Sequence, residues 1–431
     1  MIASPFPVFS AGADVSSQDV DPSRALVQLP DVARRLLAQV AEGAMGEERL
    51  AQIAEIVKLI DRPTRQLIRE AFEPVPARMI DLDASDVDAG GPAAKGQVWY
   101  RVQGAKKPYP EMGRFSLDQT DLLFLSILND RQRSVLFEDF SVDFSYELPF
   151  AGMDGRPRRF RGTIYFDQAR LALNLRAITD EVRALRSLDF HPQIERGLLF
   201  RFERDGLTLI TGVTGSGKSS TLDAVVNANN VDSAAHIVVI GKPIEFVHES
   251  RKSIVRHREV GKDVPTFKDG IIQALRQDPD IVVIGEMRDP ETISSALEIT
   301  DSGHKVFSTL HTSSAVESID RILGEYPSNE QERVRLRLAD VLRCVVSQKL
   351  CPGRTGGRVL AKEVLWVTPA ARAAIKNANQ GEIYQMMWEG LSQGMTTLEQ
   401  DLFRLVRTHK ITPETAYSYA NNKRRLQQLL G

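Results

Sequence analysis

Apolar residues near the start of the chain recur at helical spacing: Val32, Leu36, Leu37 and Val40, then Leu50, Ile53, Ile56, Val57 and Ile60. Gly43 and Gly46 interrupt the rhythm, which predicts two helices rather than one. Pro63 sits where a first helical turn tolerates it, so Leu67, Ile68 and Phe72 predict a third, short helix that Pro74 and Pro76 close. Residues 1 to about 22 are rich in Ser, Asp and Pro without periodicity and read as a flexible tail. Residues 1–78 are therefore expected to be a tail followed by a helical extension, either a docking element or a small cap.

From residue 79 the texture changes. Positions 98–102 read as a strand and 117–136 as helical, while at 140–148 apolar and polar residues alternate as in a half-buried strand. Two more strands are expected at 159–166 and 171–178, making 79–183 a mixed α+β domain. Further on, short apolar runs at 207–210, 237–240, 281–284 and 306–310 alternate with helical stretches. That rhythm calls for a largely parallel sheet covered by helices over 184–367, an α/β core. The pattern beyond is helical, with candidates at 381–388, 398–408 and 413–430, so 368–431 is expected to be a C-terminal helical region.

The first of those apolar runs leads into Gly212, Val213, Thr214, Gly215, Ser216, Gly217, Lys218 and Ser219, which spell G-x-x-x-x-G-K-S. Glycines in such a loop let successive backbone N–H groups converge on one anion, Lys218 brings a positive charge to the outer phosphates, and the Ser219 hydroxyl can ligate Mg²⁺. The stretch 220–226 that follows reads as a helix whose N-terminal dipole adds to the attraction. Thr214, Gly215, Ser216, Gly217, Lys218, Ser219 and Ser220 are thus the expected nucleotide cradle, with ATP and Mg²⁺ as the cofactors. The other expected strands end in polar groups as well: Glu245 after the second, Glu286 after the third, and His304 and His311 at the two ends of the fourth. Acids at the carboxyl edge of such a sheet stand where ligands bind.

Composition narrows the partners. With 42% hydrophobic and 26% charged residues and a formal net charge of -2, the 431-residue chain reads as an ordinary globular protein of two or three domains. The charge balance argues against a direct grip on nucleic acid and favours protein partners. Cys344 and Cys351 are seven positions apart and fit neither a zinc ribbon nor a redox C-x-x-C, which points to incidental thiols in a reducing compartment. The first residues lack the basic start and apolar core of a secretory signal, and no stretch approaches the roughly 20 apolar residues that span a bilayer. A cytoplasmic location is the expectation.

On these motifs the chain resembles the type II/type IV secretion ATPase superfamily, and within it the pilus retraction ATPases of twitching motility. The phosphate loop stands as Walker A, residues 243–248 as the tail of the aspartate box, 277–289 as Walker B, and His304 to His311 as the histidine box. Segments at 258–261 and 319–321 match as well, and residues 84–86, 144–146 and 159–161 resemble the family's N-terminal PAS-like domain. The resemblance implies a RecA-like core, a homohexamer with ATP between neighbouring subunits, and an inner-membrane platform protein as partner, with the ring peripheral to that membrane. It assigns Glu286 as the water-orienting acid, Glu245 as its companion near the metal, and His311 as a γ-phosphate sensor. Arg161, Arg176 and Arg276 are the candidates for arginines lent across the subunit boundary.

Two departures matter. The family's Glu-Asp-Pro-x-Glu reads Gly241-Lys242-Pro243-Ile244-Glu245 here, so two carboxylates are gone and a cation has arrived. Slower hydrolysis is expected, since one electrostatic contact in phosphoryl transfer can be worth about 3 kcal/mol. The retraction helix Ala-Ile-Arg-Asn-Leu-Ile-Arg-Glu is replaced by Ala370-Ala371-Arg372-Ala373-Ala374-Ile375-Lys376-Asn377. A conjugation or type IVB secretion ATPase, or a weakly hydrolysing or non-hydrolysing regulatory paralogue, therefore stand as alternatives to a retraction motor.

Overall fold

Strand pairing builds two separate sheets, and the chain divides into two units, Met1–Ile178 and Thr179–Gly431. The structure, a computed structural model, describes residues 25–149, 157–178 and 182–431. The expected tail at 1 to about 22 lies outside the described residues.

The first unit opens with four helices, α1 (Asp31–Leu37), α2 (Gly46–Leu59), α3 (Arg62–Glu70) and α4 (Pro74–Asp81). Pro74 opens α4 instead of closing the extension. The lost N–H at a first helical position is one the helix leaves unpaired in any case, so proline starts a helix as readily as it stops one. Then come β1 (Asp86–Gly90), β2 (Trp99–Val102), β3 (Ala105–Pro108), α5 (Leu117–Ile127), α6 (Asp130–Asp139), β4 (Ser141–Leu148), β5 (Arg158–Asp167) and β6 (Arg170–Ala177). Both α5 and α6 begin with reciprocal capping boxes, Ser116 with Gln119 and Asn129 with Gln132. The six strands form an antiparallel sheet in the order β3-β2-β1-β6-β5-β4.

Leu50, Ile53, Val57, Ile68 and Phe72 of the helical extension are fully buried in the same core as Phe124 of α5 and Val87 and Leu173 of the sheet. The extension is thus part of this unit's core. A chain of ion pairs reinforces the joint: Arg49 of α2 donates to Asp118 at 2.7 Å, and Arg170 of β6 donates to Asp118 at 2.6 Å and to Asp121 at 2.7 Å.

The second unit follows as α7 (Pro192–Leu198), β7 (Gly206–Thr211), α8 (Lys218–Asp232), β8 (His236–Gly241), β9 (Ile254–Glu259), α9 (Phe267–Ala274), β10 (Ile281–Ile284), α10 (Pro290–Asp301) and β11 (Lys305–Leu310). It continues as α11 (Ala315–Gly324), α12 (Ser328–Val341), β12 (Leu342–Pro352), β13 (Arg358–Trp366), α13 (Pro369–Lys376), α14 (Gln380–Glu389), α15 (Leu398–Arg407), α16 (Pro413–Tyr419) and α17 (Lys423–Leu430). The expected single helix at 413–430 is two, because the Asn422 side chain accepts from Arg425 N at 3.0 Å and restarts the chain as α17.

The sheet runs β13-β12-β7-β11-β10-β8-β9, with every neighbouring pair parallel except β12 and β13. Each residue of β7, β10 and β11 is buried. Val282 and Ile284 face one apolar cluster and Ile281 and Val283 the other, as expected of a sheet covered on both sides. This is the RecA-like core, and parallel pairing brings the carboxyl ends of β7, β8, β10 and β11 to one edge.

Candidate active site

The phosphate loop leaves β7 at that edge. Gly212 has φ 149° and Gly217 φ 86°, backbone that a side chain would strain. A Cβ on Gly212 would also lie 2.5 Å from the Gln348 carbonyl oxygen, so the neighbouring strand β12 closes in on the loop. Gln348 itself braces it: its Nε2 donates to Ser216 O at 2.9 Å. Gln348 Oε1 and Ser216 Oγ are both buried with no hydrogen-bond partner among the described residues, polar atoms left over beside the loop. Lys218 Nζ donates to Gly212 O at 2.7 Å and Val213 O at 3.1 Å, which folds the lysine back across the loop. Thr214, Gly215, Ser219 and Ser220 are exposed there.

The acids stand opposite. Burial pushes the Lys218 ammonium below its ordinary range, and Glu286 and then Glu245 oppose that shift while Arg288 adds to it. Both carboxylates therefore lie within electrostatic reach of the loop lysine. Glu286 follows β10 on a backbone held from both sides: Gly285 N donates to Ile240 O of β8 at 2.8 Å, and Met287 N donates to Thr309 O of β11 at 3.2 Å. Arg288 pairs with Glu286 at 2.6 Å. His311 follows β11, and burial, then Lys218 and Arg288, push its imidazole below the usual value and favour the neutral ring. Beside it Thr312 and Ser318 share a hydroxyl bond of 2.6 Å, and Ser318 Oγ donates to Thr211 of β7 at 3.3 Å.

Other expected site residues are elsewhere. His304 precedes β11 at the amino edge of the sheet, where its carbonyl accepts from Gly206 N at 3.1 Å and its Nδ1 lies 3.0 Å from Ser302 Oγ. A parallel strand puts its two ends on opposite edges, so β11 brings only His311 to the phosphate loop. Arg276 is exposed in the turn that leads into the amino end of β10, also away from the loop. Arg161 and Arg176 belong to the first unit's sheet, directly opposite each other on β5 and β6. Arg176 pairs with Asp86 at 2.8 Å and Arg161 with Asp143 at 3.7 Å.

Matching this geometry, the family described as type II/IV secretion system protein covers residues 173–410. The chain belongs to that family. It is 40% identical to a twitching motility protein of Neisseria gonorrhoeae over 73% of this chain and 81% of the relative. It is also 40% identical to the type IV pilus retractation ATPase PilT of Pseudomonas aeruginosa, over 69% of this chain and 84% of that one. The crystal structure of the pilus retraction motor PilT with bound ADP superimposes with a TM-score of 0.71 at 34% identity, covering 83% of this chain and 98% of the other.

The secretion-family chain is a nucleotide-binding ATPase. Two of its polar groups, Gln348 and Asp223, escaped the sequence reading, as did the partner that Asp223 finds in His248. Gln348 follows Val345, Val346 and Ser347 in β12, a strand the sequence reading did not separate from its surroundings. Asp223 lies four residues beyond Ser219 and so one helical turn along the same face of α8. Its partner is His248, whose Nε2 lies 3.2 Å from Asp223 Oδ1. A polar residue inside an apolar run was the available signal for Gln348; the Asp223–His248 pairing had none.

Proposed function

We propose that the chain is the subunit of a homohexameric ring that couples ATP hydrolysis to pilus retraction or dynamics, or to secretion, at the cytoplasmic face of an inner membrane. The observation that carries this is the parallel pairing of β7, β11, β10 and β8, which brings the phosphate loop and the segments carrying Glu245 and Glu286 to one sheet edge. In this reading residues Thr214 to Ser220 cradle the phosphates and Lys218 neutralises the outer ones. The cradle fits Mg²⁺: that ion keeps several waters and needs only one or two protein oxygens plus phosphate, which Ser219 and the nearby carboxylates can offer. Among the described residues no group of three His, Cys, Asp or Glu forms a metal cage of its own. When bound, the ion spreads charge across the outer phosphates.

Glu286 orients the attacking water, Glu245 assists, and His311 registers the terminal phosphate as a neutral ring. Arg161 and Arg176 are lent to a neighbour's nucleotide, and so is Arg276, which stands on the far edge of its own sheet from the phosphate loop. His304 has no part. The names of the twitching motility and retraction relatives support a pilus machine; an inner-membrane platform protein is the proposed partner. No described helix is long and apolar enough to cross a membrane, which suits peripheral attachment, and nucleic acid is not a direct partner.

Phosphate release by purified protein with Mg²⁺ tests the proposal. Lys218→Ala and Glu286→Gln are expected to lower turnover by about 10²- to 10³-fold. Equal turnover in all three proteins removes the enzymatic assignment, and a monomer by light scattering in the presence of ATP removes the ring.

A second reading, the weakly hydrolysing regulatory paralogue, has its own observation. Lys242 is exposed immediately after β8, where the family carries an acid. Low basal turnover that rises in the Gly241→Glu, Lys242→Asp double variant supports it; high basal turnover that the variant leaves unchanged counts against it.

A further inference from the structure

Between β8 and β9 the chain forms no helix or strand, and this irregular stretch carries Glu245. It is hung from the phosphate-loop helix at two points. His248, with its side chain 1% exposed, places Nε2 3.2 Å from Asp223 of α8. Farther along α8, Asn230 donates to Glu249 O at 2.7 Å and accepts from Arg251 N at 2.9 Å. A third element fixes the same histidine from the other side: His248 N donates to His257 Nε2 of β9 at 3.1 Å, and the two imidazoles stack 10° from parallel with centroids 5.9 Å apart. The Phe246 ring packs edge-on against His248 with centroids 4.7 Å apart.

His248 Nδ1 is buried without a partner among the described residues. Burial raises the Asp223 carboxyl while the bond to His248 opposes that; an ionised Asp223 only accepts, and in that state the shared proton is on Nε2 and points at α8. The groups facing the pair are His257 from β9 and, on Asp223, the charge of Glu245 itself.

We infer that His248 is a positioning residue: through Asp223 it ties the Glu245 segment to the helix that starts at Lys218 and Ser219, so that the acid and the phosphate cradle move as one piece. The inference rests on the proposed role of Glu245 in hydrolysis. Nucleotide affinity comes from the loop, which this tie does not touch. What the tie supplies is the placement of a carboxylate, and a misplacement of about 1 Å can cost about 100-fold in rate.

The test measures steady-state ATP turnover and the affinity for a fluorescent ADP analogue on the full chain with Mg²⁺. His248→Ala is expected to lower kcat by about 10- to 100-fold with ADP affinity within about twofold of the parent. His248→Gln, whose side-chain amide can still donate to Asp223, is expected to recover most of the loss. If His248→Ala does not fold, Asp223→Leu carries the same expectation, with Asp223→Asn retaining turnover because the amide oxygen still accepts. Parental kcat in His248→Ala or Asp223→Leu overturns the inference, as does a loss of ADP binding equal to the loss of turnover. Glu245→Gln separates the two levels: if it is inactive while His248→Ala is normal, only the positioning role falls, and if it is fully active the role of Glu245 falls and the positioning role with it.

Discussion

The two sheets of this protein handle charge in opposite ways. In the parallel sheet of the second unit the central strands are buried on both faces, and the candidate catalytic groups gather at the carboxyl edge, where Gly212, Glu245, Glu286 and His311 follow β7, β8, β10 and β11. In the antiparallel sheet of the first unit one face meets the core and the other carries a row of charge across four strands: Arg101, Asp86, Arg176 and Arg161 are successive register partners. Burial raises the Asp86 carboxyl, but bonds from Ser85 and Arg176 outweigh it and hold the group below its ordinary range. A parallel sheet concentrates function at strand ends because its faces are covered by helices, whereas a one-sided antiparallel sheet can carry it in mid-strand.

The contrast can be strained hardest inside the first unit. Arg170→Ala removes one of the two cations on Asp118, leaving Arg49, and takes the arginine from the fully buried Asp121, whose carboxyl burial pushes up to about 6 even with the arginine in place. Loss of one partner from a buried charge cluster costs about 3–5 kcal/mol, so urea unfolding should show this unit melting early. A midpoint unchanged from the parent means the cluster does not hold the helical extension to the sheet.

In the second unit the comparable group is Glu363 of β13, which accepts from Ala315 N at 2.7 Å and is pushed up by burial to about 7. The folded state keeps a proton that the unfolded state releases near 4.5, so this group's stabilisation is full at acid pH and fades as pH rises toward 7. The amplitude is about 3 kcal/mol at most, and Glu363→Gln should flatten that part of the pH dependence of thermal unfolding. Parallel curves for parent and variant would place the titration elsewhere.

Gln348→Ala leaves the Ser216 carbonyl without its donor at the phosphate loop. An unsatisfied buried group costs about 1–3 kcal/mol of stability, which should appear as a lowered midpoint in thermal unfolding of the second unit; a midpoint equal to the parent's means the bond does not brace the loop. Smallest is the effect of Arg176→Ala on stability: its side chain is 63% exposed, and such pairs are worth about 0–1 kcal/mol. Turnover, by contrast, is expected to fall if the arginine serves a neighbour's nucleotide, and a variant normal in both measurements removes it from that role.

Much of the second unit was legible because its chemistry lies in contiguous stretches. The loop from Gly212 to Ser219 and the strands β7, β8, β10 and β11 announce themselves as short apolar runs followed by glycine or acid. Strands β12 and β13 did not, since Gln348, Lys349, Lys362 and Glu363 interrupt the apolar pattern with side chains whose partners lie far along the chain, such as Leu188 O for Lys362 at 3.1 Å. In the first unit β1 and β3 escaped for a similar reason: Asp86, Asp88, Lys106 and Lys107 are poor strand formers, and ion pairs such as Lys106 with Asp88, which reaches across the intervening β2, offset the preference.

Local order along the chain was enough to determine a phosphate-binding turn between a strand and a helix, two acids after later strands, and a half-buried strand within a mixed α+β domain ahead of them, because turns, periodicity and caps depend on residues within a few positions. Which of those groups meet was decided by tertiary structure. Strand direction sends His311 to the nucleotide edge and His304 to the opposite one; helix phase turns Asp223 toward His248; and strand order sets Gln348 against the loop. Such choices rest on pairings between distant segments, whose register and direction no short window of residues contains.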